Sequence, residues 1–226
     1  MTVLGIPVIN RPDLLRACLE SIDADVTVVV IDNSGTGTLG DVASEVRPDA
    51  IIVDPPSNLG VAASWNLVIR SYPRERSWLI ANADTVFGPG DLARLIEEAD
   101  TDEPRWVGVN GDWRVFAINA ACVERVGLFD EQFIPVYCED ADYEYRCTLE
   151  GVRWDFIDGT STHVGSVCLG DFRSANDRTY PANVAYYRAK WGGDLRGGET
   201  YLTPFDRGGP VSEWSLSLAR LRDQSW

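Results

Sequence analysis

Strand-like runs alternate with helix-like segments through the first half of the chain, and every run opens into a polar loop carrying Asn or Asp. That alternation implies a parallel sheet covered by helices, because a strand that returns through a helix pairs in the same direction as its predecessor. Val3–Ile9 reads as the first strand; Asn10 then caps a helix with Pro12 at its start, and Leu14, Leu15, Cys18, Leu19 and Ile22 make its apolar stripe. Thr27–Ile31 is a continuous β-branched run, as expected of a strand buried on both faces, and it ends in the polar, glycine-rich loop 32–37. A third strand at Ala50–Val53 runs into the loop 54–60, and a helix over Val61–Ser71 is stopped by Tyr72-Pro73. The fourth strand, Ser77–Ala81, gives way to Asn82-Ala83-Asp84, and a helix carrying Leu92, Leu95 and Ile96 starts after Gly88-Pro89-Gly90-Asp91.

In an open parallel sheet the loops after the strands gather at one edge, and ligands bind there. Asn10, Asp32, Asn33, Asn58, Asn82 and Asp84 are therefore expected to converge on that edge. Each alone is explained as a turn residue or helix cap; the whole set favours a polar ligand. No G-x-G-x-x-G follows the first strand and no G-x-x-x-x-G-K-[ST] loop occurs, which disfavours a dinucleotide dehydrogenase and a P-loop nucleotidase.

The second half is less regular. Val107–Val109 and Val115–Ile118 read as short strands, Ala120–Val126 as a short helix, 152–157 as a strand and 183–190 as a helix before Trp191-Gly192-Gly193. Between them, Glu139-Asp140-Ala141-Asp142 sets three carboxylates into four residues at the start of a helix that runs to a C-terminal cap at Gly151. Acids there satisfy exposed N–H groups and the helix dipole. The apolar approach through Phe129, Phe133, Ile134 and Tyr137 also makes them candidates for a general base. Trp65, Trp113 and Tyr137 are candidates for core packing or for stacking on a ligand.

The net charge of −15 argues against a nucleic-acid polymer as partner. Lys190 is the sole lysine, leaving a Schiff-base mechanism one candidate nucleophile. The five cysteines form no C-x-x-C pair, so neither a zinc site nor a disulfide framework is indicated. No run reaches the roughly 20 apolar residues of a membrane span, and the N-terminal stretch reads as a strand rather than a signal peptide. A cytoplasmic protein is the expectation.

Six segments, in order and with matching spacing, resemble the family 2 glycosyltransferases: Pro7–Pro12, Val30–Ser34, Asn58–Asn66, Leu79–Asp84, Gly127–Phe133 and Glu139–Arg146. The resemblance implies the GT-A fold, a Rossmann-like, mostly parallel α/β sheet flanked by helices in a single domain. It implies a domain over residues 1–192, with a nucleotide-sugar half at 1–100 and an acceptor half at 101–192, and a tail at 193–226 that packs on it or acts as a lid. The activity implied is inverting transfer of a sugar from a nucleotide-diphosphate sugar, UDP- or dTDP-linked, to an acceptor hydroxyl on a glycan, lipid-linked glycan, protein or small molecule. Pro7, Asn10, Asp32, Asn33, Asn58, Asn66, Asn82 and Ala83 would bind the donor. Trp113, Tyr137 and Asp142 would face the acceptor. Asp140 matches the family's base, with Glu139 beside it in support.

Asp84 matches the last acid of the family's Asp-x-Asp motif and would hold a divalent cation, Mn2+ or Mg2+. His163, the single histidine, reads as a core or turn residue by itself; the resemblance brings it to the metal or the diphosphate. Asn82 departs from the motif, where many relatives carry aspartate; the rhamnosyltransferase-like branch often has asparagine there. A homodimer is compatible with the chain. Two rival readings stay open. A sugar nucleotidyltransferase would show a basic, glycine-rich loop after the first strand, which Asn10-Arg11-Pro12 does not provide. A non-catalytic nucleotide-sugar-binding module would not require both Asp84 and Asp140.

Overall fold

The structure, a computed structural model, describes residues 2–163 and 172–209. Residues 210–226 of the expected tail lie outside the described residues. The first half alternates as the sequence implies: β1 Val3–Val8, α1 Pro12–Glu20, β2 Thr27–Asp32, α2 Thr38–Val46, β3 Ile51–Val53, α3 Val61–Ser71, β4 Ser77–Ala81 and, beyond a short β5 at Thr85–Val86, α4 Asp91–Ala99. The second half holds β6 Arg105–Val109, β7 Asp112–Asn119, α5 Ala120–Val126, α6 Glu139–Leu149, β8 Arg153–Ile157, β9 Thr162–His163 and α7 Arg173–Trp191.

Seven strands form one sheet in the order β3-β2-β1-β4-β7-β6-β8, with a separate β5-β9 ribbon. β1, β2, β3 and β4 run parallel, whereas β7 is antiparallel to both β4 and β6. The parallel alternation of the first half ends for a local reason. Asn110 and Gly111 both take positive φ, 54° and 83°, so a two-residue turn folds β6 and β7 into a hairpin where a helix would otherwise cross over.

Alternate residues of the strands feed two apolar layers. Leu4, Ile6, Val28, Val30 and Leu79 pack against α1, α2 and α4, while Val3, Val29, Ile31, Trp78 and Ile80 meet α3 and α5. Gly5 marks a close helix approach, since a Cβ there would collide with the Val68 side chain of α3. Burying each aliphatic side chain of these layers contributes about 1.5–3 kcal/mol, enough together to hold the strand ends that carry polar residues.

Three local expectations change. Arg11, not Asn10, is the residue flanking α1, in left-handed conformation at φ 63°, and its side chain makes no capping hydrogen bond to that helix. Helix α2 was hidden behind the glycine-rich loop; its first donors are satisfied by Asp32, far back in sequence, rather than by a local cap. Helix α7 begins ten residues before the expected 183, with Pro181 inside it. Pro181 is exposed, and Asn183 two residues later anchors the helix by donating to the carbonyls of Val136 and Tyr137 at 3.0 and 3.1 Å. Helix α6 ends as expected: Val152 and Gly151 donate to Cys147 and Thr148, with Gly151 at φ 63°.

Candidate active site

The strand order reverses between β1 and β4, and a cavity of about 670 Å³ opens there. One side is built from the ends of parallel strands: Pro7 of β1, Asn33 after β2, Asn58 before α3, and Asn82, Ala83 and Asp84 after β4. The antiparallel β7 adds Trp113 and Arg114, because Ala81 pairs with Val115 and the next residues reach the same edge. Tyr137, Glu139, Asp140, His163 and, at the start of α7, Phe172 and Asn176 complete it.

His163 is brought to Asp84 by register. Thr85 pairs with His163 across the β5-β9 ribbon, and His163 Nε2 lies 3.0 Å from Asp84 Oδ1. A carboxylate and an imidazole suit a divalent cation of borderline hardness. Among the described residues no third His, Cys, Asp or Glu joins the pair. The pair therefore fits a cation that takes its remaining ligands from a bound diphosphate or water.

Asn33 joins two loops, donating from Nδ2 to Ser64 Oγ at 2.9 Å and accepting from Leu59 N at 3.0 Å. Asn58 Oδ1 accepts from Gly60 N at 2.8 Å. Trp113 stacks on Trp65 at 6.1 Å and donates to Glu144 Oε1 at 2.6 Å, so both tryptophans are core packing that also faces the cavity.

Four expected site residues are not cavity-lining. Asp32 is fully buried, its carboxylate accepting from the backbone of Ser34, Leu39 and Gly40, each at 3.0 Å. Burial raises its pKa, but the hydrogen bonds from Ser34, Gly40 and Leu39 outweigh it and hold the carboxyl below its usual range. Asn66 is equally committed: it binds both N and O of Phe129 and reaches Glu131, fixing the segment before the acidic helix. Asp142 is fully buried and paired with Arg146 and Lys190. Asn10 lies just before α1, outside the cavity lining.

The acidic helix start is delivered by two consecutive left-handed residues, Tyr137 at φ 81° and Cys138 at φ 77°. Such conformations in residues other than glycine cost on the order of 1 kcal/mol each, and the Asn183 amide holds this turn in place. Burial and the neighbouring acids push the Cys138 thiol up to about 12, so it is no thiolate nucleophile. Asp140 is half-buried at the cavity, its Oδ1 accepting from Ala141 N at 2.8 Å.

Glu139 is the more unusual group. It is 5% exposed, and among the described residues its Oε2 has no hydrogen-bond partner. Burial first and the charge of Asp140 second push its pKa up from 4.5 to about 8. A carboxyl with a raised folded-state pKa stabilises the fold below its unfolded value and loses that contribution as pH rises through the folded value. Wild-type protein should therefore lose on the order of a few kcal/mol more stability between about pH 5 and 9 than Glu139→Gln, read from urea unfolding at each pH. Parallel pH curves for the two proteins would show that Glu139 is ionised throughout.

Sequence reasoning passed over Arg114, Phe172, Asn176 and Arg196. Arg114 is beside Asp112 within one strand, a pair with no motif. The α7 residues were assigned to irregular chain, and Arg196 lies in the tail beyond the six recognised segments.

Residues 4–118 match the family model described as Glycosyl transferase family 2. A galactofuranosyl glycosyltransferase of Leishmania donovani is 34% identical over 73 residues, 32% of this chain and 17% of that protein. The structure of S. aureus TarS 1–349 in complex with UDP superposes with a TM-score of 0.50 at 14% identity, over 69% of this chain and 57% of that one. A nucleotidyl transferase from Methanothermobacter superposes with a TM-score of 0.54 at 14% identity, over 81% of this chain and 99% of that one. The chain thus spans about a sixth of its curated relative and just over half of the TarS 1–349 chain. At such identities the structural likenesses show a shared fold. Among the described residues no helix is long and apolar enough to cross a membrane.

Proposed function

The chain belongs to glycosyl transferase family 2, and from that premise we propose that it moves a sugar from a UDP- or dTDP-sugar to an acceptor hydroxyl with inversion at the anomeric carbon. The observation that carries the proposal is the meeting of the Asp84-His163 pair and the Glu139-Asp140 pair at one cavity over the reversal of strand order. Direct displacement needs those two functions together, a place for the departing diphosphate and a base for the incoming hydroxyl.

In this reading Pro7, Asn33 and Asn58 form the nucleotide end, and Asn82 and Ala83 lead to the diphosphate. Asp84 and His163 hold a divalent cation, which when bound supplies charge stabilisation to the leaving diphosphate. Asp140 takes the acceptor proton. Glu139, protonated at neutral pH, can donate a hydrogen bond to a sugar hydroxyl from the same wall. Asp32, Asn66 and Asp142 act one step removed, shaping the loops that carry these groups.

The nucleotidyl transferase likeness favours a second reading in which the same edge joins a nucleotide to a sugar phosphate. Such chemistry calls for a cation after β1, yet Arg11 pairs with Asp13 at 2.6 Å and is not cavity-lining.

The test is thermal unfolding with a panel of UDP- and dTDP-sugars, with and without manganese. A donor at a hundred times its Kd should stabilise by about 2.7 kcal/mol, a rise of roughly 5–10 °C for a chain of this size. Asp84→Ala should remove the manganese-dependent part. If no nucleotide sugar shifts the transition in either condition, the donor site is not here.

A further inference from the structure

Arg196 reaches the acidic helix from the segment after α7, 56 residues along the chain from Asp140. Its Nη2 lies 2.7 Å from Asp140 Oδ2, and its Nε lies 2.9 Å from Glu144 Oε2. Nη2 also reaches Glu144 Oε1 at 3.4 Å, the oxygen that accepts from Trp113 Nε1 at 2.6 Å. A single guanidinium therefore ties the candidate base to a carboxylate one helical turn on, and that carboxylate is fixed by a cavity-lining tryptophan.

The contact is built rather than incidental. Arg196 sits at φ 56°, a left-handed conformation. The Glu199 carboxylate holds it there, accepting from the N–H groups of Arg196 and Gly197, each at 2.6 Å. The buried Tyr187 of α7 donates its hydroxyl to the same carboxylate. Arg196 itself is not cavity-lining, so it acts through Asp140.

Asp140 has few other restraints. Its side chain is 29% exposed, and among the described residues it is held, apart from Arg196, by the N–H of the next residue. A carboxylate on one short torsion can turn away from an acceptor hydroxyl, and misplacement by an ångström can cost a hundredfold in rate. We propose that Arg196 is the positioning residue for Asp140, holding its carboxylate toward the cavity by bridging it to Glu144; this rests on Asp140 being the base. The planar fork matters, because an ammonium in its place can meet either carboxylate but does not span both with fixed geometry. When Asp140 takes a proton, the guanidinium keeps Glu144 as counter-charge and stays in place.

The experiment measures steady-state hydrolysis of the UDP- or dTDP-sugar that the wild-type protein turns over, for Arg196→Ala, Arg196→Lys and Asp140→Asn. Binding of UDP with manganese and the unfolding midpoint are followed in parallel. Arg196→Ala should lower kcat about ten- to a hundredfold with donor KM and UDP binding unchanged, and Arg196→Lys should recover part of it. A crystal structure of Arg196→Ala should show the Asp140 carboxylate in a changed or divided orientation. Unchanged kcat, or kcat and UDP binding lost together, overturns the proposal. Asp140→Asn with full turnover removes the base reading itself, and the positioning role falls with it.

Discussion

Asp140→Asn should lower sugar transfer by about 10²–10⁴-fold while donor binding stays near wild type, the range a positioned general base supplies. That range corresponds to about 3–5.5 kcal/mol of barrier. The amide has the shape of the carboxylate and can still accept from Ala141 N, so the helix start is not disturbed at that end. What it cannot do is take a proton from a hydroxyl. Arg196 would then lose one of its two partners but keep Glu144, and the half-buried position keeps the stability effect small.

The neighbouring acid supplies the control. Glu139 holds its proton to about pH 8 and lies against the same cavity, so at neutral pH it serves as a donor rather than a base. Glu139→Gln should therefore keep more of the transfer activity at pH 7 than Asp140→Asn, in assays of product formed from a donor and acceptor. Were Asp140→Asn to retain transfer within tenfold of wild type, or Glu139→Gln to be the more damaged, the base would have to be sought elsewhere.

Those two acids differ by environment, and environment is where sequence reading stopped. The alternation of apolar runs was legible because β-branched strands and amphipathic helices leave periodic traces, so β1, β2, α3 and β4 were placed nearly to the residue. Helix α2 was not, since the glycines at its start read as loop and its donors are satisfied by Asp32 from the end of β2. Convergence of Asn33, Asn58, Asn82 and Asp84 followed from topology alone. Which Asn or Asp faces the cavity did not, because Asp32 and Asn66 carry the same letters as ligands yet are consumed by backbone groups. The tail contact of Arg196 left no trace at all, for it joins segments with no shared pattern.

Lys190→Met should destabilise the fold by about 3–5 kcal/mol, the cost of leaving a buried carboxylate without its cation, and lower the unfolding midpoint by roughly 6–20 °C. Lys190 is 1% exposed, with Nζ 2.7 Å from Asp130 Oδ2 and 2.6 Å from Asp142 Oδ1. Asp142 also binds Arg146 Nε at 2.9 Å and Trp191 Nε1 at 2.8 Å, while Arg146 Nη1 donates to the carbonyls of Val126 and Leu128. Two acids and two bases thus balance between α6, α7 and the segment that leads into the acidic helix. Burial raises the Asp130 pKa, yet the charge of Lys190 and its hydrogen bonds outweigh this and hold the carboxyl below its usual range. Removing Lys190 leaves the cluster one negative charge in excess. Neutralising Asp130 as well, in Lys190→Met with Asp130→Asn, should recover part of the loss, as measured by denaturant unfolding and a double-mutant cycle. Additive losses would mean that the two groups do not feel each other. The same measurement separates the two kinds of acid on one helix: an Asp142 variant should lose activity by unfolding, whereas an Asp140 variant should lose it while folded.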